Sequence, residues 1–150
     1  MRSWRNSDGE GGKLLKSSLI EARKILKRLK FRDGFVVAVV RDFKTKEVLM
    51  VAVQNEEAVL KTLTTGMMHY WSRSRQKLWL KGEQSGHLQR VREVRVDCDG
   101  DALLFDVDQV GAACHEGYWS CFYRKLKNGE LVTVLKRKFR PDEVYGRSGK

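Results

Sequence analysis

Asp33-Gly34-Phe35-Val36-Val37-Ala38-Val39-Val40-Arg41-Asp42 opens the part of the chain that decides the fold. Phe35–Val40 is a continuous apolar run rich in β-branched residues, which predicts a buried strand. Asp42–Lys46 is a polar turn and Val48–Val53 a second strand, so the two predict a hairpin. Asn55-Glu56-Glu57 then supplies an N-cap and two acids where a helix dipole favours them. Ala58, Val59, Leu60 and Leu63 give that short helix its apolar side, and Gly66 is its stop. From His69 onward the chain is strand-like with short turns. Asn128-Gly129, between Cys121–Leu126 and Leu131–Leu135, is the strongest short-range hairpin signal.

Upstream, Leu14, Leu15, Leu19, Ala22, Ile25, Leu26 and Leu29 recur at spacings of three and four. They predict an amphipathic helix over Lys13–Lys30, with Lys16, Arg23, Lys24, Lys27 and Arg28 on its other face. Such a helix packs on the domain surface or meets a partner or an anionic surface. Met1–Gly12 is polar and glycine-bearing and reads as a mobile tail. The expectation is an α+β fold of mostly antiparallel strands with a short helix, plus the N-terminal amphipathic helix. Its parts are a basic tail and helix over 1–32, a domain over 33–140, and a tail over 141–150 after Pro141.

The chain has 150 residues, with 30 Lys+Arg, 19 Asp+Glu and a formal net charge of +11. That length suits one domain with a real core. No apolar run approaches the ~20 residues of a transmembrane helix. No signal-peptide apolar region is visible near Met1. Three cysteines suit a reducing compartment rather than a disulfide framework. The charge is uneven: residues 1–32 carry 10 basic and 3 acidic side chains, residues 124–150 carry 9 and 3, and the middle carries 11 and 13. Basic excess suggests nucleic-acid binding, but here it sits on the flanks.

Asp97-Cys98-Asp99-Gly100-Asp101 is the richest stretch for chemistry. In an extended segment Asp97, Asp99 and Asp101 would share one face, with Cys98 on the other. Carboxylates so placed repel unless a cation neutralises them, and oxygen-only ligands suit Mg²⁺ or Ca²⁺. The plain alternative is a solvated acidic turn. An EF-hand fits poorly, since Ala102 and Asp108 stand where its Gly and Glu belong. Cys98, Cys114 and Cys121 lie within 24 residues and are candidate soft-metal ligands. Three protein ligands plus water is the arrangement of a catalytic zinc, whose bound water is acidified to a hydroxide. Three unrelated core cysteines are the alternative. His115 reads as a fourth ligand, a proton shuttle or a core histidine. The deaminase signature is absent.

Between Tyr70 and His87 aromatic, hydroxyl and cationic residues alternate. Arg73, Arg75, Lys77 and Lys81 with Ser72, Ser74 and Ser85 could cradle phosphates. The same interleaving with Trp71 could stack bases, so a zinc-stabilised nucleic-acid-binding module is the competing reading. A solvated hairpin with Trp71 and Trp79 in the core is the plain one.

Tyr70-Trp71-Ser72-Arg73-Ser74-Arg75, Leu78-Trp79 with Lys81-Gly82-Glu83 and Ser85-Gly86, the Asp97–Asp101 run, and Ala113-Cys114-His115 with Gly117 and Ser120-Cys121-Phe122-Tyr123 resemble the phosphoribosyl-AMP cyclohydrolase family. The resemblance runs from about Asp33 to Arg124. It implies a dimeric cytoplasmic enzyme of histidine biosynthesis that hydrolyses the N1–C6 bond of the adenine ring of phosphoribosyl-AMP, using zinc and magnesium. It puts magnesium on Asp97, Asp99 and Asp101. It puts zinc on Cys98, Cys114 and Cys121, completed across the dimer interface. His115 is then the first candidate for the general acid and His69 the second. Trp71, Ser72, Arg73, Ser74, Arg75, Lys77, Lys81, Glu83 and Ser85 are candidates for binding substrate. His87 stands where the family usually carries Asn. Neither a membrane nor a nucleic-acid partner is expected, since an acidic triplet on a binding face repels phosphate.

Overall fold

The computed structural model describes residues 14–145. The expected tail Met1–Gly12, the first residue of the expected helix and residues 146–150 lie outside them. Strands β1 (Val36–Asp42), β2 (Val48–Gln54), β5 (Gln89–Val96) and β6 (Ala102–Gln109) form one sheet in the order β2-β1-β6-β5. β1–β2 and β5–β6 are antiparallel hairpins. β1 and β6 pair in parallel, with Val37 opposite Ala102 and Val40 opposite Phe105. Two further hairpins stand outside this sheet: β3 (His69–Ser72) with β4 (Lys77–Leu80), and β7 (Arg124–Lys127) with β8 (Glu130–Thr133). The architecture is α+β with mostly antiparallel strands. The parallel pair has no signal in local sequence, because its two strands lie some sixty residues apart.

The helices follow their caps. α2 (Glu56–Thr65) starts where the Asn55 side chain accepts from the Ala58 N–H at 2.9 Å, and stops at Gly66 with φ 76°. α1 is shorter than its periodicity predicts and spans Leu19–Leu26. A capping box sets its start: Ser18 Oγ accepts from the Glu21 N–H at 3.1 Å, and the Glu21 carboxylate accepts from the Ser18 N–H at 3.0 Å. Leu14 and Leu15 therefore lie outside the helix, and the Leu15 N–H donates to the Val91 carbonyl at 2.8 Å. Past Lys27 the chain turns onto the β5–β6 loop, where the Lys30 N–H donates to the Gly100 carbonyl at 2.7 Å. The expected tail after Pro141 begins as a third short helix, α3 (Pro141–Tyr145), with proline at its favoured first position.

One face of the large sheet carries Val36, Ala38, Val40, Leu49, Val91, Leu103, Phe105 and Val107, all buried. Ala22, Leu29, Val59, Leu63, Met68 and Tyr70 close over it from α1 and the turn after it, from α2, and from β3 with the residue before it. The other face is different. The register sets Val37 beside Val53 and Val39 beside Val51, with Leu104 next in line. Val37 is 40% and Val51 47% exposed. The run Phe35–Val40 thus has the composition of a strand covered on both faces, while this chain covers one.

Candidate active site

The β5–β6 connection holds the acidic triplet. Asp97–Asp101 is a turn rather than the expected extended segment: the Gly100 N–H donates to the Asp97 carbonyl at 3.2 Å, and the Asp97 N–H to the Ala102 carbonyl at 3.0 Å. The turn still gathers the side chains. Among the described residues Asp97, Asp99 and Asp101 form one cluster in which a carboxylate oxygen of each lies within 4.8 Å of the others. A hydrogen bond to Asp97, with the charges of Asp101 and Asp97, pushes the Asp99 carboxyl up. Asp101 goes the other way, because Arg32 Nε donates to it at 2.7 Å. Asp97 is tied to backbone N–H groups of Asp101 and Ala102 at 3.1 and 3.2 Å. Three carboxylates gathered on one turn, with the Asp99 carboxyl pushed up by its neighbours, are a fit for a hard divalent cation. Arg32 carries no signal of this role in local sequence, since 69 residues separate it from Asp101.

The thiols divide. Cys114 and Cys121 are joined by a hydrogen bond between their sulfurs. The neighbouring Cys121 holds the Cys114 thiol down to about 6, and Cys114 with burial pushes the Cys121 thiol up; Cys114 is buried and Cys121 lies at the surface. The Glu116 N–H also donates to Cys114 Sγ at 3.4 Å. Two sulfurs meeting in this way suit a soft divalent metal. Cys98 is exposed on the acidic turn, and among the described residues the three sulfurs do not form one cluster within a single chain.

The loop that carries the pair is built by packing outside the sheet. The Cys114 N–H donates to the Tyr118 carbonyl at 3.0 Å and the Cys121 N–H to the Leu49 carbonyl at 2.7 Å. The Tyr118 and Tyr123 rings stack at 3.7 Å, with Arg137 over one and Arg124 over the other. A C-terminal strap crosses this loop: the Lys138 N–H donates to the Gly117 carbonyl at 2.6 Å, and Phe139 meets the His87 ring edge-on at 4.9 Å. His87 also lies against Gly111, where an added Cβ would fall 2.5 Å from its ring.

The remaining candidates separate by exposure. Ser72, Arg73, Ser74, Arg75 and Lys77 gather at the β3–β4 turn, with the four from Arg73 to Gln76 and Lys77 exposed and Ser72 Oγ accepting from the Arg75 N–H at 3.2 Å. Trp71 is half-buried beside them. Glu83 is used locally, accepting from the Leu80 N–H at 3.1 Å, and Ser85 Oγ accepts from the His87 N–H at 3.1 Å. Lys81 is buried, and its ammonium donates to the Ala113 carbonyl at 2.5 Å. His115 is exposed and lies 3.4 Å from the Glu116 carboxylate. His69 is half-buried. Its Nδ1 lies 2.9 Å from the Met67 carbonyl, which requires a proton on Nδ1 and leaves Nε2 bare. Burial holds His69 below the ordinary imidazole value.

Comparison with known proteins gives the family. The family model of phosphoribosyl-AMP cyclohydrolase matches residues 50–123, which include the β3–β4 turn, the acidic triplet and the thiol pair. The phosphoribosyl-AMP cyclohydrolase of Methanosarcina mazei is 56% identical over 117 residues, 78% of this chain and 95% of that protein. The protein of that name from Methanosarcina barkeri is 59% identical over 117 residues, 78% of this chain and 88% of its own length. That of Sulfurisphaera tokodaii is 56% identical over 116 residues, 76% and 98%. Among the described residues no helix is long and apolar enough to cross a membrane. With 56–59% identity over stretches that span 88–98% of these relatives' own length, the chain is an enzyme of the phosphoribosyl-AMP cyclohydrolase family.

Proposed function

We propose that this chain acts in histidine biosynthesis by hydrolysing the N1–C6 bond of the adenine ring of phosphoribosyl-AMP, which opens the ring to an imidazole carboxamide. The observation that carries the reading is the identity to full-length relatives of that name. Cys114 and Cys121 would hold zinc with Cys98 of a second copy, and Asp97, Asp99 and Asp101 would hold magnesium. Zinc so held would supply an acidified water for attack at C6, and magnesium would neutralise and orient substrate oxygens. The rest falls to side chains. Arg73, Arg75 and Lys77, exposed on one turn with Ser72 and Ser74, bind the two phosphates through charge and hydroxyl donors. Trp71 lies beside them as a surface for the base. His69, held below the ordinary imidazole value by burial and with Nδ1 turned to the Met67 carbonyl, serves as a proton acceptor through Nε2. His115, exposed beside Cys114, protonates the departing ring nitrogen.

A homodimer belongs to the same proposal, in the cytoplasm. Two observations support it: the open valine face of the sheet, and the separation of Cys98 from the thiol pair. Sedimentation equilibrium reads the assembly directly.

The test is absorbance during incubation with phosphoribosyl-AMP, zinc and magnesium. Ring opening by the native chain is expected. Cys121→Ser removes zinc and activity together, and Asp99→Asn raises the magnesium needed for half-maximal rate. No turnover by the native, metal-loaded chain would end the substrate assignment. Full activity of a zinc-free Cys121→Ser protein would end the role given to the thiols.

A further inference from the structure

Lys81 is a cation placed where cations are seldom found. It is 9% exposed. The Lys81 N–H is fixed to the Met68 carbonyl at 3.0 Å. Its side chain runs inward past Trp79, with Nζ 5.9 Å from that ring's centroid, and ends on the Ala113 carbonyl. A buried ammonium calls for a counter-charge. Among the described residues no Asp or Glu pairs with it. The groups near it that can carry negative charge are the sulfurs of Cys121 and Cys114, whose charge favours the ammonium while burial opposes it. The exposed cluster Arg73, Arg75 and Lys77 lies elsewhere, on the β3–β4 turn. Lys81 is therefore occupied inside the protein rather than offered to solvent.

We propose that Lys81 is the built-in counter-ion of the thiolate centre and the residue that positions Cys114 within it. Three thiolates on one divalent zinc leave a net charge of −1, which is costly beside the buried Cys114, the one of the three cysteines that is shut away from solvent. One ammonium beside them brings the total to zero. The same ammonium grips the carbonyl of Ala113, the residue immediately before Cys114, so charge and placement come from one side chain. This inference rests on the reading of the thiols as zinc ligands.

Zinc affinity, measured by competition with a chromophoric chelator, tests it without reference to turnover. Lys81→Gln removes the charge and keeps a donor for the Ala113 carbonyl, and Lys81→Met removes both. Lys81→Arg keeps the charge. Affinity is expected to fall about ten- to a hundredfold in the glutamine variant, the range seen when groups behind metal ligands are lost. It should fall at least as far in the methionine variant and stay near native in the arginine variant. Far-UV circular dichroism establishes which variants fold, and either neutral variant suffices. Native zinc affinity in a folded neutral variant overturns the inference. So does equal weakening in the neutral and arginine variants, which would reduce Lys81 to packing. A native chain whose zinc binding is untouched by Cys114→Ser would instead overturn the thiol reading on which the inference depends.

Discussion

Replacing Gly117 by Ala is expected to free the strap that crosses the thiol loop. Gly117 has φ +100°, and an added Cβ would fall 2.1 Å from the Phe139 carbonyl oxygen. Ordinary contact begins near 3.4 Å, so the two backbones must part by about 1.3 Å. Phe139 cannot yield by a rotamer change, because the clashing atom is main chain. Parting lengthens the 2.6 Å bond from the Lys138 N–H to the Gly117 carbonyl beyond use and breaks the bridge between Tyr118 and Arg137. A non-glycine residue in this region costs about 1–2 kcal/mol, and the lost hydrogen bond about 1 kcal/mol more. The strap lies outside the hydrophobic core, so releasing residues 137–139 is a cheaper response than unfolding the sheet. Hydrogen exchange should show the Lys138 amide losing protection while amides of β1 and β6 keep theirs. Zinc affinity should fall by about tenfold or more, since Gly117 also closes the turn back to the Cys114 carbonyl at 2.9 Å. A Gly117→Ala protein with native protection at Lys138 and native zinc affinity would refute both the close approach and its link to the thiols.

Two further predictions concern the ground on which the site stands. The Tyr70 hydroxyl donates to Gln89 Oε1 at 2.6 Å, with both side chains fully buried. Tyr70→Phe strands that acceptor and should lower stability by about 1–3 kcal/mol in urea melts, and an unchanged midpoint would show that Gln89 finds another donor. Burial lowers His69, and burial with the charge of Lys81 lowers His87, so the unfolded chain takes up these protons more readily than the folded one. Their contribution is complete above the unfolded value of about 6.5 and is lost as pH falls through the depressed folded values. The urea midpoint should therefore drop below pH 6.5, and a His69→Asn variant should show a shallower drop; equal slopes in the two proteins would remove His69 from the account.

Local signals were legible where one interaction decides the outcome. Asn55 and Gly66 bracket α2 because a cap and a left-handed stop are properties of single residues. Asn128-Gly129 marks a hairpin for the same reason, with φ of 49° and 79°. The Lys13–Lys30 periodicity overreaches because Leu14 and Leu15 pack half-buried from a non-helical segment, and the Ser18–Glu21 box sets the true start. The triplet Asp97, Asp99, Asp101 gathers as expected through a turn at Gly100, where a strand would have served the same end. Lys81 belongs by sequence to a segment whose other cations are exposed, since charge density along a chain does not tell which side chain turns inward. Two features stay unexplained within one chain. A β-branched strand leaves one apolar face in water, and Cys98 stands away from the sulfurs it accompanies in sequence. Both are anomalies only for a monomer. A second copy laid on the valine face would bury that surface, and it is the one partner certain to bring another Cys98 at equal concentration. A charge placed on the open face, as in Val51→Glu, should then cost zinc affinity as well as assembly, although Val51 touches neither thiol nor carboxylate; a monomeric Val51→Glu protein that holds zinc as tightly as the native chain would separate the two anomalies again.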